Sequence, residues 1–157
     1  MKISIITISF NAKDTIEKTL QSVANQTYKN IEHIIVDGGS SDSTLDICHS
    51  FFHVSKIMSE PDKGVYDAFN KGLKLATGDV VGFLNADDVF FTEDSVQEIV
   101  NAFTENRTDI VYGNLDYVTK EGKVVRNWIS RSYEKGLVKK DWMPAHPTFY
   151  SKKEVYD

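Results

Sequence analysis

The chain of 157 residues has one cysteine, Cys48, so no disulfide can form within it and a reducing compartment is the simplest setting. It lacks any apolar run approaching the roughly 20 residues that a membrane-spanning helix needs. The opening MKISIITISFN is oily, but it carries a single Lys and no signal-peptide cleavage pattern, and it reads as a strand. Positive charge is not in excess. With a net charge of −5, a nucleic-acid or anionic-membrane footprint is not expected from the chain as a whole, and an anionic ligand would need a local cation. Repeats and low-complexity tracts are absent. Two Asn-x-Thr sequons, at Asn25 and Asn106, read as chance in a chain without a secretory signal.

What is present is the composition of a soluble globular protein, 41% hydrophobic and 26% charged, with enough length for a real core. The pattern alternates between two periods. KISIITISF is short and β-branched and predicts a buried strand. Asp14 and Glu17 have the spacing of a capping box, and Ile16, Leu20, Val23 and Ala24 follow at helical spacing. IEHIIVD is a second strand, after which Ser43 or Asp42 caps a helix carrying Leu45, Cys48 and Phe52. VSKIM is a third strand. Val65, Ala68, Phe69, Gly72, Leu73 and Ala76 mark one face of a helix closed by Gly78. DVVGFL, a helix around Val96 to Phe103, and DIVYG complete an alternation that implies crossover units in a mostly parallel sheet with helices on both faces. LDYVTKEGKVVRNWI then predicts a hairpin turning at Lys120–Gly122, a β-rich extension of one domain.

Ligands of open parallel sheets bind at the carboxyl ends of the strands. Those ends carry Ser9-Phe10-Asn11, then Asp37 with Gly38 and Gly39, then Asp62-Lys63-Gly64, then Asn85-Ala86-Asp87-Asp88. Each piece alone reads as a turn or a cap; PDKG has Pro, Asp and Gly in ordinary turn positions. Their convergence on one edge is what points to a site. Asp37 is an acceptor suited to a nucleobase N–H or ribose hydroxyls, and glycine lets a ligand approach the backbone. Asp87 and Asp88 are hard oxygen ligands for Mg2+ or Mn2+, and a metal between them and a diphosphate would turn an acidic edge into a phosphate site.

TISFNAKDTIEKTLQSVANQTYKNIEHIIVDGGSSDST and DKGVYDAFNKGLKLATGDVVGFLNADD resemble two signature blocks of family 2 glycosyltransferases of the GT-A fold. The resemblance covers about residues 2–115, and YDAFNKG with FLNADD is similar to bacterial enzymes that build surface polysaccharides. It implies a three-layer sandwich with a mostly parallel central sheet, a nucleotide-sugar donor (usually a UDP-sugar), Mn2+ or Mg2+, and inverting transfer of a hexosyl or N-acetylhexosaminyl group to a glycan or lipid-linked hydroxyl. It implies a cytoplasmic enzyme at the inner face of the membrane, without a span. Carried over by residue, Thr7, Phe10 and Asn11 line the nucleotide pocket, Asp37 and Gly38 meet the base, and Asp62, Lys63, Gly64 and Asp67 flank base and sugar. The acidic signature, ordinarily Asp-x-Asp, is here Asn85-Ala86-Asp87 followed by Asp88, leaving Asp87 and Asp88 as metal ligands. On this reading residues 1–113 are the donor half and 114–157 an incomplete acceptor-side portion of a single domain. The family's catalytic base follows the segment resembling MPAHPTFYSKK. Asp141 precedes the Pro-His-Pro segment and Glu154 sits in a charged run with Lys152 and Lys153, so neither fills the base's place. The expectation is therefore a truncated enzyme that binds donor and transfers poorly or not at all, with His146 or Asp141 the first positions to mutate should it prove active.

Other features read blandly. His49 and His53 have metal-pair spacing but no third ligand nearby, so surface histidines are expected. His146 is equally well a structural histidine, and Trp128 and Trp142 read as core or interface residues before sugar platforms. A receiver-like Mg2+ domain would want acidic residues after strand one, where SFNA stands. A dinucleotide dehydrogenase would want G-x-G-x-x-G, which DGGSSDS is not. A non-catalytic nucleotide-sugar-binding module shares every donor-site residue with the enzyme and stays open.

Overall fold

The β-branched run Ile3–Ser9 forms β1, buried along nearly its whole length. The structure is a computed structural model that describes residues 1–140 and 142–156. β2 (Ile31–Asp37) pairs with β1 in parallel, in register from Ile3 opposite Ile31 to Ser9 opposite Asp37. β3 (Val54–Ser59) adds outside β2, and β4 (Val80–Phe83) adds on the other side of β1, both parallel. Reversal of the winding direction between β1 and β4 makes a topological switch point there, where ligands of open sheets bind.

Helices cover both faces because side chains alternate along each strand. α3 (Val65–Leu75) lays Ala68 and Phe69 on Ile6, Ile34, Val36, Val81 and Phe83. On the opposite face α1 (Ile16–Ala24) and α4 (Ser95–Asn106) bury Val23, Val96, Val100 and Phe103 against Ile3 and Ile5. α2 (Thr44–Ser50) completes that layer, Cys48 packing with Ile16, Leu20 and Ile35. This is the expected three-layer α/β arrangement.

Helix ends depart from expectation. α1 starts at Ile16 with no side-chain cap, so the Asp14–Glu17 box does not form; the Ala12 carbonyl accepts from the N–H of Thr15 and Ile16 instead. Residues 12 and 13 are already held by Thr44 Oγ1 and Asp42 Oδ2, which fixes the entry to the helix. Before α2 it is Asp42, rather than Ser43, that accepts a backbone N–H, from Thr44 at 3.0 Å. α3 ends at Leu75, and Gly78 lies beyond it against Ser4, where a Cβ would come within 2.7 Å of the Ser4 nitrogen.

A strand absent from the sequence reading completes the sheet. β8 (Tyr150–Lys152) lies antiparallel between β4 and β5 (Ile110–Val111), giving the order β3-β2-β1-β4-β8-β5. Tyr150 is 1% exposed and its ring lies over Gly82, where a Cβ would sit 2.0 Å from a ring carbon. Only glycine admits the ring there. The hairpin forms as expected, β6 (Leu115–Val118) with β7 (Val124–Trp128), as a separate two-stranded sheet.

Candidate active site

At the carboxyl edge, the tips of β1 and β2 and the start of α3 enclose an open cavity of about 450 Å³ lined by Ile8, Ser9, Phe10, Gly38, Asp62, Val65 and Ala68. Phe10 stands 64% exposed at its mouth. Gly38 forms part of its floor, and its N–H donates to the Ser9 carbonyl at 2.8 Å. A Cβ on Gly38 would be 2.6 Å from Asp62 Oδ2, so the Asp62 carboxylate lies directly over the glycine. Asp62 Oδ1 accepts from the Gly64 N–H at 2.8 Å. The loop before α3 is stapled by Lys71, whose Nζ meets Glu60 (3.0 Å), Asp67 (3.3 Å) and the Pro61 carbonyl (2.9 Å). Asp67 also accepts from the Lys63 N–H, and this bond, together with Lys71, lowers its carboxyl pKa. Lys63 itself points to solvent rather than into the cavity wall.

Three residues expected to meet the nucleotide, Thr7, Asp37 and Asn11, have other partners. Thr7 is wholly buried, on the face of β1 opposite Ile8, with its hydroxyl 2.9 Å from His33 Nε2. Strand alternation turns it into the α1 layer, away from the cavity. Asp37 reaches the tip of β2 but is 0% exposed, so it offers no edge to a base. Its Oδ2 accepts from the N–H of Gly39 (3.1 Å) and Ser40 (2.8 Å) and from the Ser59 hydroxyl (2.8 Å); its Oδ1 accepts from the hydroxyls of Ser9 (3.1 Å) and Ser40. Burial opposes its charge, but the Ser40, Ser59 and Ser9 bonds outweigh burial and lower its pKa. A saturated carboxylate ties three strand ends together. Asn11, at φ 48°, performs a similar service: its Oδ1 accepts from Ser41 N–H at 2.9 Å, and its own N–H donates to Ser40 Oγ at 2.8 Å.

Across the switch point, β4 ends in the turn Asn85–Asp88. The Leu84 N–H still bonds the Ile6 carbonyl, after which the chain leaves the sheet. Ala86 turns inward and packs in the cluster of Ile16, Leu20 and Ile35. Asp87 is exposed, while Asp88 is partly buried and accepts from Asn85 Nδ2 at 2.9 Å. Burial, and then the charge of Asp87, raise the Asp88 pKa. Two carboxylates in tension at a strand tip are what a divalent cation relieves. Among the described residues no group of three His, Cys, Asp or Glu forms a closed metal cage. Mg2+-type sites do not need one, since they combine one or two carboxylates with water and substrate phosphate.

His146, in the 3-10 turn His146–Thr148, stacks on Phe83 (centroids 6.0 Å apart, 17° between planes) and lies 5.2 Å from the Phe69 ring. Burial lowers its pKa, and the nearby Asp88 charge opposes that shift. Glu154 lies in the 3-10 turn Lys153–Val155, whose first N–H bonds Asp79 at the amino end of β4, the edge opposite the cavity. Asp141 lies outside the described residues. His53 is not a surface histidine: its Nε2 is 3.0 Å from Nδ1 of the buried His33. Trp142 packs edge-on to Tyr112 and Tyr133.

Sequence reasoning overlooked Ile8, Val65, Ala68 and Lys71. The strand-end rule, extended by one helical turn past Gly64, would have reached Val65 and Ala68, and extended one residue back from Ser9 it would have reached Ile8.

The profile of the family described as "Glycosyl transferase family 2" matches residues 4–151. An uncharacterized glycosyltransferase of Mycobacterium tuberculosis is 43% identical over 106 residues, covering 65% of this chain and 40% of that protein. A PGL/p-HBAD biosynthesis glycosyltransferase of Mycobacterium bovis is 38% identical over 117 residues, 71% of this chain and 46% of the relative. The chain thus spans under half the length of these relatives. Among solved structures, S. aureus TarS 1-349 in complex with UDP-GlcNAc superposes with a TM-score of 0.78 at 21% identity, over 99% of this chain and 46% of that one. The mannosyltransferase PcManGT from Pyrobaculum calidifontis, in complex with GDP-Man and Mn2+, gives 0.74 at 18% identity, over 98% and 45%. These likenesses establish the same fold, and the sequence match across nearly all of the doubly wound sheet makes this chain a member of glycosyltransferase family 2.

Proposed function

We propose that this chain binds the nucleotide-sugar donor, a UDP-sugar, for inverting transfer to a hydroxyl of a glycan or lipid-linked acceptor. One observation carries the reading: the cavity in which the Asp62 carboxylate lies over bare Gly38 is built on the tip of β1, and β4, the strand paired with β1, ends in the acidic turn Asn85–Asp88. The base lies in the cavity between Phe10 and Val65, with Asp62 Oδ2 accepting from its N–H. Asp62 replaces Asp37 in that task because Asp37 has no free acceptor. The sugar diphosphate then extends across the β1 tip toward Asn85–Asp88.

Asp87 and Asp88 would hold the divalent cation, with Asn85 positioning Asp88. Mn2+ or Mg2+ bound there supplies Lewis-acid neutralisation of the charge that builds on the departing diphosphate. The complexes of PcManGT and of a Mycobacterium tuberculosis synthase with Mn2+ support this choice of metal. His146 stands on the Asp88 side of the site, shielded by Phe69 and Phe83, with burial lowering its pKa against the opposing charge of Asp88, and is the candidate to take a proton there. A cytoplasmic setting at the membrane's inner face fits a lipid-linked acceptor.

The test is thermal stability with UDP. UDP should raise the melting temperature more with Mn2+ than with EDTA, and Asp87→Ala should abolish that difference. Equal stabilisation in EDTA would remove the metal from the proposal. A second reading, a donor-binding module that does not transfer, is favoured by Glu154 facing the opposite edge. Release of free sugar from donor without glycoside formation on added acceptor would select it.

A further inference from the structure

The β6–β7 ribbon is built unlike the rest of the molecule. Its strands pair only with each other. Val118 is 53% exposed, Val125 62% and Ile129 72%, with Tyr117 and Val124 also open. Apolar groups gathered on an exposed ribbon mark a surface that something covers.

Charge identifies what. Residues 114–140 contain seven Lys and Arg against three acidic residues, a net +4 within a chain of −5, which leaves −9 on the remainder. Lys120 and Lys123 flank the tip of the turn. Arg126 lies over the Tyr117 ring at 5.5 Å and the Trp128 ring at 5.7 Å. Among the described residues, Arg131 alone of the seven cations lies within ion-pair range of a carboxylate, Glu134 at 3.8 Å. By strand alternation Val125 and Ile129 share one face of the ribbon with Asn127, and the Tyr117–Arg126–Trp128 stack lies on the other. Exposed valine and isoleucine on one face, close to the lysines of the turn and the basic segment that follows, have the chemistry of a surface seated in a lipid headgroup layer with cations on anionic lipid. A second copy of the ribbon would set +4 against +4.

We infer that the β6–β7 ribbon, with the basic segment that follows it, docks on an anionic phospholipid bilayer. No helix among the described residues is long and apolar enough to cross a membrane. The ribbon's root is fixed to the site: Ser130 Oγ and Thr148 Oγ1 both donate to the Gly113 carbonyl, at 2.6 and 3.0 Å, and Thr148 belongs to the turn that carries His146. Docking therefore sets the Asp88–His146 side of the site near the lipid face. The inference does not depend on the identity of the donor.

The experiment is flotation of the chain with vesicles of phosphatidylcholine alone and of phosphatidylcholine mixed with phosphatidylglycerol. The chain should float with the anionic vesicles only, and high salt should release most of it. Lys120→Ala with Lys123→Ala should weaken binding about 30-fold, from about five-fold per cation. Val125→Ser with Ile129→Ser should remove the fraction that survives high salt. Both double variants should keep the parent melting temperature and the parent response to UDP, which separates loss of docking from loss of fold or donor site. Equal flotation with neutral vesicles, no flotation at all, or flotation indifferent to both double variants would overturn the inference. So would a dimer in solution that the Val125/Ile129 variant dissociates, since that assigns the surface to a second copy.

Discussion

The central sheet and the β6–β7 ribbon are both β structure, yet they are held by different means. In the sheet, β1 has a neighbour on each side and a helix layer on each face, and five of its seven residues are fully buried. In the ribbon, every residue of β7 but Trp128 is exposed, and each strand has one partner. An isolated hairpin is marginal in water. The ribbon keeps its shape through its root at Gly113, Asn114, Ser130 and Thr148 and through Arg126 over two aromatic rings. Burial makes the sheet the stable body of the molecule, while the ribbon contributes surface to it. A substitution should therefore act on stability in one region and on contact in the other.

The sharpest break of that contrast is at Tyr150. Tyr150→Ala should cost about 3–5 kcal/mol in urea unfolding, since it empties a core site on which β4 packs. Val125→Ala on the ribbon should change stability by less than about 0.5 kcal/mol. Equal costs would mean that the ribbon is part of the cooperative core.

Next in size is a contrast inside the site. Asp37→Ala leaves five donors without their acceptor and should destabilise the fold by about 2–3 kcal/mol, losing UDP binding as a consequence. Asp62→Asn should leave the melting temperature near the parent value while weakening UDP binding by about 1.5–3 kcal/mol, read by calorimetry. If Asp37→Ala retained stability and lost only affinity, the base would belong to Asp37 after all.

The third effect is graded. Burial, and then the neighbouring His53, hold the His33 pKa at about 3, against an ordinary 6.5. The folded chain keeps this ring neutral, whereas the unfolded chain takes up a proton below about 6.5. Its stabilising effect is thus complete above that pH and erodes as the pH falls toward about 3, by at most about 1.4 kcal/mol per pH unit. His33→Gln should make the acid limb of the melting-temperature profile shallower over that window. An unchanged limb would assign acid sensitivity to other groups.

The parts of this fold that were legible in the sequence are those where one period dominates. Ile16, Leu20 and Val23 lie at i, i+4 and i+7, and all three are buried in α1. KISIITISF and IEHIIVD are short runs rich in β-branched residues, and both became central strands. β8 was hidden because three residues, Tyr150-Ser151-Lys152, are too few to show a period, and its partners lie far away along the chain. In the site, residue type at a strand tip was legible but side-chain direction was not. Asp37 and Asp62 both stand at tips; only the arrangement of donors around each shows that one is saturated and the other keeps an oxygen over Gly38. Thr7 illustrates the same limit, since one step along a strand reverses the face.

β8 also orders events in time. β4 is made early, but its outer edge, Val80 to Gly82, finds a partner only in Tyr150–Lys152, and β5 has no other neighbour in the sheet. During synthesis from the amino end, the nascent sheet carries an open, oily edge until Lys152 has left the ribosome, and β5 waits with it. Unpaired edges of that kind recruit other chains. The interval between making Phe83 and making Lys152 is thus when this chain is most exposed to misassembly, and its yield in a cell should follow the speed of translation and the supply of chaperones across that interval more closely than the stability of the finished sheet.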